Sequence, residues 1–213
     1  MSIAGRYQPL EDPPAAAAPF RARDLATAQT VLLRPVRRLK PAEVVPALER
    51  ARRAQGIFHP SLITLFDAFE DALAPLVLAY EYVPARTLKV VAGGQPFHPR
   101  RAGEIGAEIA DAAAELHGRG LAHGAIDGDT VLITAKGKAK LDRLADPSLE
   151  GTSAASETGD VAALGRLLME LLTGRRGATA ALLGSDAVSS VARRIAAGEL
   201  DSAALIAATL RRR

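Results

Sequence analysis

Over the first third of the chain apolar and polar positions change over in short runs; beyond it they recur at helical spacing. Arg6 to Leu10 and Phe20 to Asp24 flank the segment EDPPAAAAP, where Pro13, Pro14 and Pro19 exclude a regular central strand or helix. A loop between two strands is therefore expected. Thr30-Val31-Leu32-Leu33-Arg34 is β-branched and aliphatic and predicts a third strand, ended by Pro35. From Pro41 to Gln55, the positions Val44, Val45, Leu48, Ala51 and Ala54 carry the period of a helix that stops near Gly56. Leu62 to Phe69 and Leu76 to Val83 read as two more strands, parted by an acidic turn at Glu70-Asp71.

After Pro84 the pattern turns helical. Ile105, Ile109, Ala113 and Leu116 form one stripe between Pro99 and Gly118, and Gly118-Arg119-Gly120 supplies the stop. Thr130 to Thr134 and Lys138 to Leu141 suit a hairpin turning at Lys136-Gly137. Asp160 to Thr173 places Leu164, Leu167, Leu168 and Leu171 on one helix face, with Gly174 as its cap. Val188 to Ala197 and Ser202 to Leu210 are shorter helices. No repeat of about 20 to 50 residues recurs. The fold class is α+β.

Composition narrows this picture. A chain of 213 residues suits one domain of ordinary size, or two small lobes around one cleft. Hydrophobic residues make up 48%, much of it Ala, with five Phe, three Tyr and no Trp, so the core is expected to be aliphatic. The absence of Cys excludes disulfides, thiolate metal sites and a cysteine nucleophile, and suits the cytoplasm. The start MSIAGRYQPLEDPP lacks the apolar stretch of a secretory signal, and no run approaches the ~18 apolar residues that span a bilayer, so a soluble protein without membrane attachment is expected. Net charge is +3, and the arginine clusters (Arg50, Arg52, Arg53; Arg211, Arg212, Arg213) read as solvated helix faces before they read as nucleic-acid contacts.

Four segments in order then resemble the eukaryotic-type protein kinase family, bacterial Ser/Thr kinases in particular. HPSLITLFDAFED (59–71) is similar to the approach to the fourth kinase strand, and LVLAYEYVPARTL (76–88) to the fifth strand, hinge and linker. AAELHGRGLAHGAIDGDTVLIT (113–134) resembles the long helix and catalytic loop, and DVAALGRLLMELLTGR (160–175) the buried helix of the large lobe. The resemblance implies a two-lobed fold: a small β-rich N-lobe with one helix over 1–83, and a shortened, mainly helical C-lobe over 84–213.

Phosphoryl transfer depends on positioning and charge neutralisation, so the family needs a phosphate loop, a Lys, metal-binding side chains and a catalytic Asp. By the resemblance, the phosphate loop falls on Glu11 to Pro19, which holds no Gly; its prolines remove amide donors, and Glu11 and Asp12 would repel a triphosphate. The strand V-A-I-K reads Val31-Leu32-Leu33-Arg34, so Arg34 replaces the Lys and Leu32 fills part of the nucleotide pocket. Tyr80 takes the gatekeeper position, and Glu81, Tyr82 and Val83 the hinge. The helix Glu that pairs with the Lys falls on Arg50, with Glu49 one position away.

The catalytic loop H-R-D-L-K-P-E-N reads His123-Gly124-Ala125-Ile126-Asp127-Gly128-Asp129-Thr130. Ala125 stands where the resemblance puts the catalytic Asp, Thr130 where it puts the metal-binding Asn, and Asp127 where it puts a phosphate-contacting Lys. The D-F-G site falls on Arg143-Leu144-Ala145, with Asp142 one residue early as the rescue candidate for metal. Asp127 and Asp129 read as turn formers before metal ligands. Ala145 and Val161 are only 16 positions apart, too close for an activation and docking segment. His123 and Asp160 match the family's architectural residues.

The expectation is a catalytically inactive kinase-like domain, a pseudokinase, without metal or cofactor. Its expected partner is another protein, such as an active kinase or a phosphopeptide-binding domain, and Thr152, Ser153, Ser156 and Thr158 form either a polar linker or phosphorylation sites. One alternative is an atypical nucleotide-dependent transferase using Asp142, Asp127 or Asp129 for metal and Arg34 for phosphate. A basic nucleic-acid-binding module is the other, although no aromatic-plus-basic stretch supports it.

Overall fold

The computed structural model describes residues 2–12, 18–149 and 154–212. The glycine-free stretch is thus described only at its two ends, and Pro13, Pro14, Thr152, Ser153 and Arg213 lie outside the described residues. The chain is mixed α+β and falls into two compact units: Met1–Phe58, Ile63–Val83 and Arg143–Leu149 form the first, and His59–Leu62, Pro84–Asp142 and Glu150–Arg213 the second.

In the first unit, β1 (Tyr7–Pro9), β2 (Phe20–Asp24), β3 (Thr30–Val36), β4 (Leu65–Asp71) and β5 (Ala74–Glu81) make one antiparallel sheet in the order β1-β2-β3-β5-β4. Side chains alternate across a strand, so Tyr7, Phe20, Ala22, Val31, Leu33, Val77 and Ala79 gather into one core cluster. On β5 the residues Leu76 to Tyr80 are all fully buried, so both faces are covered and the run reads as continuously apolar. Each such Leu contributes roughly 1.5–3 kcal/mol by leaving water.

α1 (Pro41–Ala54) packs against β4 and β5 through Ala47, Leu48, Ala51 and Ala54. Val45, expected on that stripe, is instead 61% exposed.

Several boundaries depart from the sequence reading, among them β5, expected over Leu76 to Val83, which runs from Ala74 to Glu81. β3 runs through Pro35, which pairs with Val77, because β2 has already ended at Phe20 opposite Leu33 and that flank of Pro35 needs no donor. The strand expected from Leu62 starts at Leu65, because Leu62 forms a parallel bridge to Leu141 and belongs to the second unit. Glu70 and Asp71 lie in β4, and the turn sits at Ala72-Leu73. Asp71 makes that turn by accepting the Leu73 N–H at 3.0 Å.

The second unit holds the helices α2 (Leu88–Ala92), α3 (Pro99–His117), α4 (Glu157–Thr173), α5 (Ala187–Ala196) and α6 (Ala203–Arg211), with a small sheet ordered β6 (Ala85–Thr87), β7 (Val131–Thr134), β8 (Ala139–Leu141). β7 and β8 form the expected hairpin, closed by Gly137 at φ +74. α3 packs on α4 and α6. Gly106 permits that closeness, since a Cβ there would come within 2.5 Å of Leu168 Cδ2.

α4 starts three residues before Asp160, because Ser156 caps it by accepting the Gly159 N–H at 3.0 Å. Ser156 and Thr158 therefore belong to a helix start rather than to a linker. Arg211, from the basic C-terminal cluster, is ion-paired to Asp111. Among the described residues no helix is long and apolar enough to cross a membrane.

Candidate functional site

The loop after α3 is organised by one buried carboxylate. Asp160, in the first turn of α4, is fully buried; its Oδ2 accepts the His123 N–H at 2.7 Å and its Oδ1 the Gly124 N–H at 2.8 Å. His117 Nε2 lies 3.0 Å from Oδ2, and because a carboxylate only accepts, that nitrogen carries the proton. Burial alone would raise the Asp160 carboxyl, but the bonds from His117 and the two amides hold it below the ordinary carboxylate value.

His123, also fully buried, is fixed at both ring nitrogens. Nδ1 accepts the Ala125 N–H at 3.2 Å, which leaves Nε2 to donate to the Asp142 carbonyl at 2.9 Å. The backbone of Asp142, a buried residue, is also tied to the end of the loop just before β7, since its N–H donates to the Thr130 carbonyl at 2.8 Å.

Thr130 closes the loop on itself. Its hydroxyl donates to the Ala125 carbonyl at 2.6 Å and accepts the Asp127 N–H at 3.0 Å. Asp127 Oδ1 accepts the N–H groups of Asp129 and Thr130, while its Oδ2 meets Arg176 at 3.2 Å. Asp129 pairs with Lys89 at 3.0 Å. Arg176 and Lys89 thus engage Asp127 and Asp129, two of the three carboxylates considered as metal ligands. Ala125, half-buried between His123 and Asp127, presents a methyl group where no proton can be accepted. A cavity of about 460 Å³ lies beside the loop, lined among others by Ala125, Asp127, Ser156, Arg166, Glu170 and Arg176. Among the described residues no group of three or more His, Asp or Glu is placed to hold a metal ion.

In the first unit, a second buried carboxylate organises the segment 143–149. Asp146 is fully buried. Its Oδ2 accepts Arg143 Nε at 2.9 Å and pairs with Arg143 Nη2 at 2.8 Å, while its Oδ1 accepts the Ser148 N–H at 2.9 Å and the Ser148 hydroxyl at 2.6 Å. Three of these contacts are hydrogen bonds and the fourth an ion pair, so both carboxylate oxygens are engaged. Arg34 stands off: its Nε is 3.6 Å from Asp146 Oδ2, buried, and without a hydrogen-bond partner among the described residues. Glu49, the other carboxylate considered for Arg34, is exposed on α1, and Asp146 takes that place.

Arg143 and Ala145 both adopt the left-handed backbone region, at φ 66 and φ 62. Such conformations cost non-glycine residues roughly 1–2 kcal/mol each, and the flanking bonds offset that cost. Between them, the Leu144 carbonyl accepts the hydroxyl of fully buried Tyr80 at 2.8 Å. Leu32, half-buried on β3, sits opposite Tyr80 in the β3–β5 register. Glu81 closes the sheet end by exchanging bonds with Thr64, N–H to carbonyl at 2.8 Å and Thr64 N–H to Oε2 at 3.3 Å. Tyr82 and Val83 are half-buried, and the Arg21 guanidinium lies 5.8 Å from the Tyr82 ring centroid. Arg21 also binds Glu11, through N–H and Nε.

Sequence reasoning passed over Asp146, Ser148, His117 and Arg176. Asp146-Pro147-Ser148 carries a signal that could have marked it, an Asp two residues before a Ser, the pattern of a side chain capping its own turn. Nothing local marks His117 or Arg176, whose partners come from distant elements.

No family model matches the chain. It is 30% identical over 151 residues to the serine/threonine-protein kinase PrkC of Bacillus subtilis, covering 59% of this chain and 23% of that protein. It is 32% identical over 174 residues to an inactive leucine-rich repeat receptor-like serine/threonine-protein kinase of Arabidopsis thaliana, covering 66% of this chain and 26% of that protein. The chain spans about a quarter of the length of these curated relatives. These weak matches support a distant, kinase-like relationship.

Proposed function

We propose that this chain is a degenerate protein-kinase-like domain of the cytoplasm that transfers no phosphate and works by binding another protein. In this reading the two compact units correspond to the small and large kinase lobes. The supporting observation is the loop His123 to Thr130, whose first two amides are held by Asp160 and whose Thr130 hydroxyl binds the Ala125 carbonyl, yet which carries Ala125 where the family's base would stand. A general base must accept a proton from the attacking hydroxyl, and a methyl group accepts none. Arg34 and Arg143, aligned with the family's Lys and metal-binding Asp, both face Asp146 instead. The kinase name of both relatives, one of them called inactive, favours the same reading.

Titration of the full chain with ATP and magnesium or manganese, followed by calorimetry and by transfer of labelled phosphate, tests it. Neither binding heat nor transfer is expected. Saturable heat together with transfer abolished by Asp142→Ala would replace this reading with a transferase. The binding role requires a protein recovered in stoichiometric amount with the chain from its own cells, and rebinding when both are pure.

A further inference from the structure

We propose that Ser148 is a phosphorylation site, and that a phosphate there displaces Asp146 from Arg143 and Arg34 and releases the turn from Arg143 to Ser148. The inference stands whether or not the chain transfers phosphate itself.

Ser148 is exposed, yet its hydroxyl oxygen is already seated inside the charge cluster: Arg143 Nη2 donates to it at 2.9 Å, and it donates to Asp146 Oδ1 at 2.6 Å. Two guanidinium groups face one carboxylate, whose two oxygens Arg143 and Ser148 already engage. Arg34 Nε is left buried with no acceptor, and a buried donor without one is costly. The cluster therefore holds spare positive charge and a spare donor next to an exposed hydroxyl.

Phosphorylation changes each of these terms. The Ser148 oxygen forms a bond to the γ-phosphorus of a nucleoside triphosphate, the bond from that phosphorus to its bridging oxygen breaks, and the nucleoside diphosphate leaves. The hydroxyl proton passes to the base of the modifying kinase, which acts in trans. The bond that Ser148 donated to Asp146 is then lost, and a group of about −1.5 to −2 charge stands against that carboxylate. Its three oxygens meet Arg143 where the serine oxygen now sits, and supply the acceptor that Arg34 Nε lacks. Asp146 is the weaker competitor for both cations.

The backbone is built to respond. Arg143 and Ala145 are held in the left-handed region by the Asp146 ion pair, by the Asp146 N–H to the Arg143 carbonyl at 3.1 Å and by Tyr80. Loss of the Asp146 anchor lets this turn relax toward ordinary backbone angles.

The test uses the full chain with phosphoserine installed at position 148 by codon suppression. Phosphorus NMR over pH is expected to show the second ionisation about one pKa unit below the ~6 of a solvated phosphoserine, because adjacent cations favour the dianion. Adding Arg34→Gln should return it toward ~6. Hydrogen exchange of the 143–149 amides should be faster than in the unmodified chain, while unmodified Arg34→Gln exchanges as wild type and so reports that the variant folds. A phosphate that titrates near ~6 with Arg34 present, or unchanged exchange over 143–149, overturns the proposal.

Discussion

The carboxylate of Asp160 accepts the backbone N–H of His123 at 2.7 Å, across 37 positions of sequence. With Gly124 and His117 as further donors, one buried anion thus fixes the end of α3, the following loop and the start of α4. Asp160→Asn preserves volume but turns an amide N–H toward groups that donate. The urea midpoint is expected to fall by the equivalent of about 3 kcal/mol at unchanged slope. A midpoint within the scatter of wild type would remove Asp160 from its organising role.

The same contacts predict a pH dependence. The folded Asp160 carboxyl lies below its ordinary value, so the unfolded chain binds the proton more readily. Its stabilisation is complete above the unfolded carboxylate range near ~3.9 and is lost as pH falls through the folded value. Asp24, held low by the Arg6 hydrogen bond, and Asp186, whose burial is outweighed by its bonds from Ser189, act with the same sign. Urea midpoints measured from pH 5 downward should decline, and Asp160→Asn should flatten part of that decline.

Long periodic elements were legible because their pattern is local: α3 and β5 show their burial in the spacing of Ile105, Ile109 and Leu116, or of Leu76 to Tyr80. β6 and α2, at three and five residues, are shorter than the periods that would reveal them, and only Thr87 at the N-cap and left-handed Gly93 mark α2. At the site, the loop residues His123 to Thr130 could be named from their order, and the Asp-Pro-Ser pattern marks Asp146 as a turn former, but its nearness to Arg34 is a long-range contact, made through β3, that no spacing rule encodes. The turn at Ala72-Leu73 was misplaced for a related reason: Asp71 makes the turn from the strand beside it.

Arg34 and Asp146 are partners of unequal weight. Asp146 satisfies Arg143 and Ser148 by hydrogen bonds, whereas Arg34 contributes a 3.6 Å ion pair with an unpartnered Nε. Removing the carboxylate leaves two cations without their anion, and Asp146→Ala should cost about 3–5 kcal/mol. Arg34→Met, an apolar group of similar length, should cost less than about 1 kcal/mol or stabilise. Equal losses in thermal unfolding of the two variants would contradict this asymmetry.

Gly174 and Gly177 both have positive φ, at +69 and +74, but only the first is crowded. A Cβ on Gly174 would lie 2.6 Å from the Gly94 carbonyl oxygen and 2.9 Å from Gln95 C, both backbone atoms that cannot swing away. Gly177 has nothing within 4 Å. Gly177→Ala should therefore cost only the left-handed penalty of roughly 1–2 kcal/mol, and Gly174→Ala clearly more. Indistinguishable melting temperatures would show that the segment at Gly94 yields to the new methyl group.

The proposed silence of the chain predicts how an attempted repair behaves. Ala125→Asp places a carboxylate within the loop, where Ala125 is half-buried and its N–H is already held by His123 Nδ1. That supplies an acceptor at one position only. Arg34 and Arg143 remain engaged with Asp146, and Thr130 keeps its hydroxyl committed to Ala125 and Asp127. Phosphoryl transfer requires charge neutralisation at several points together, and groups that act as a unit are not restored one at a time. The single variant should fold and yet transfer no labelled phosphate from ATP to itself or to a generic protein substrate. Measurable transfer by Ala125→Asp alone would mean that the surrounding residues are competent and that Ala125 is the sole lesion.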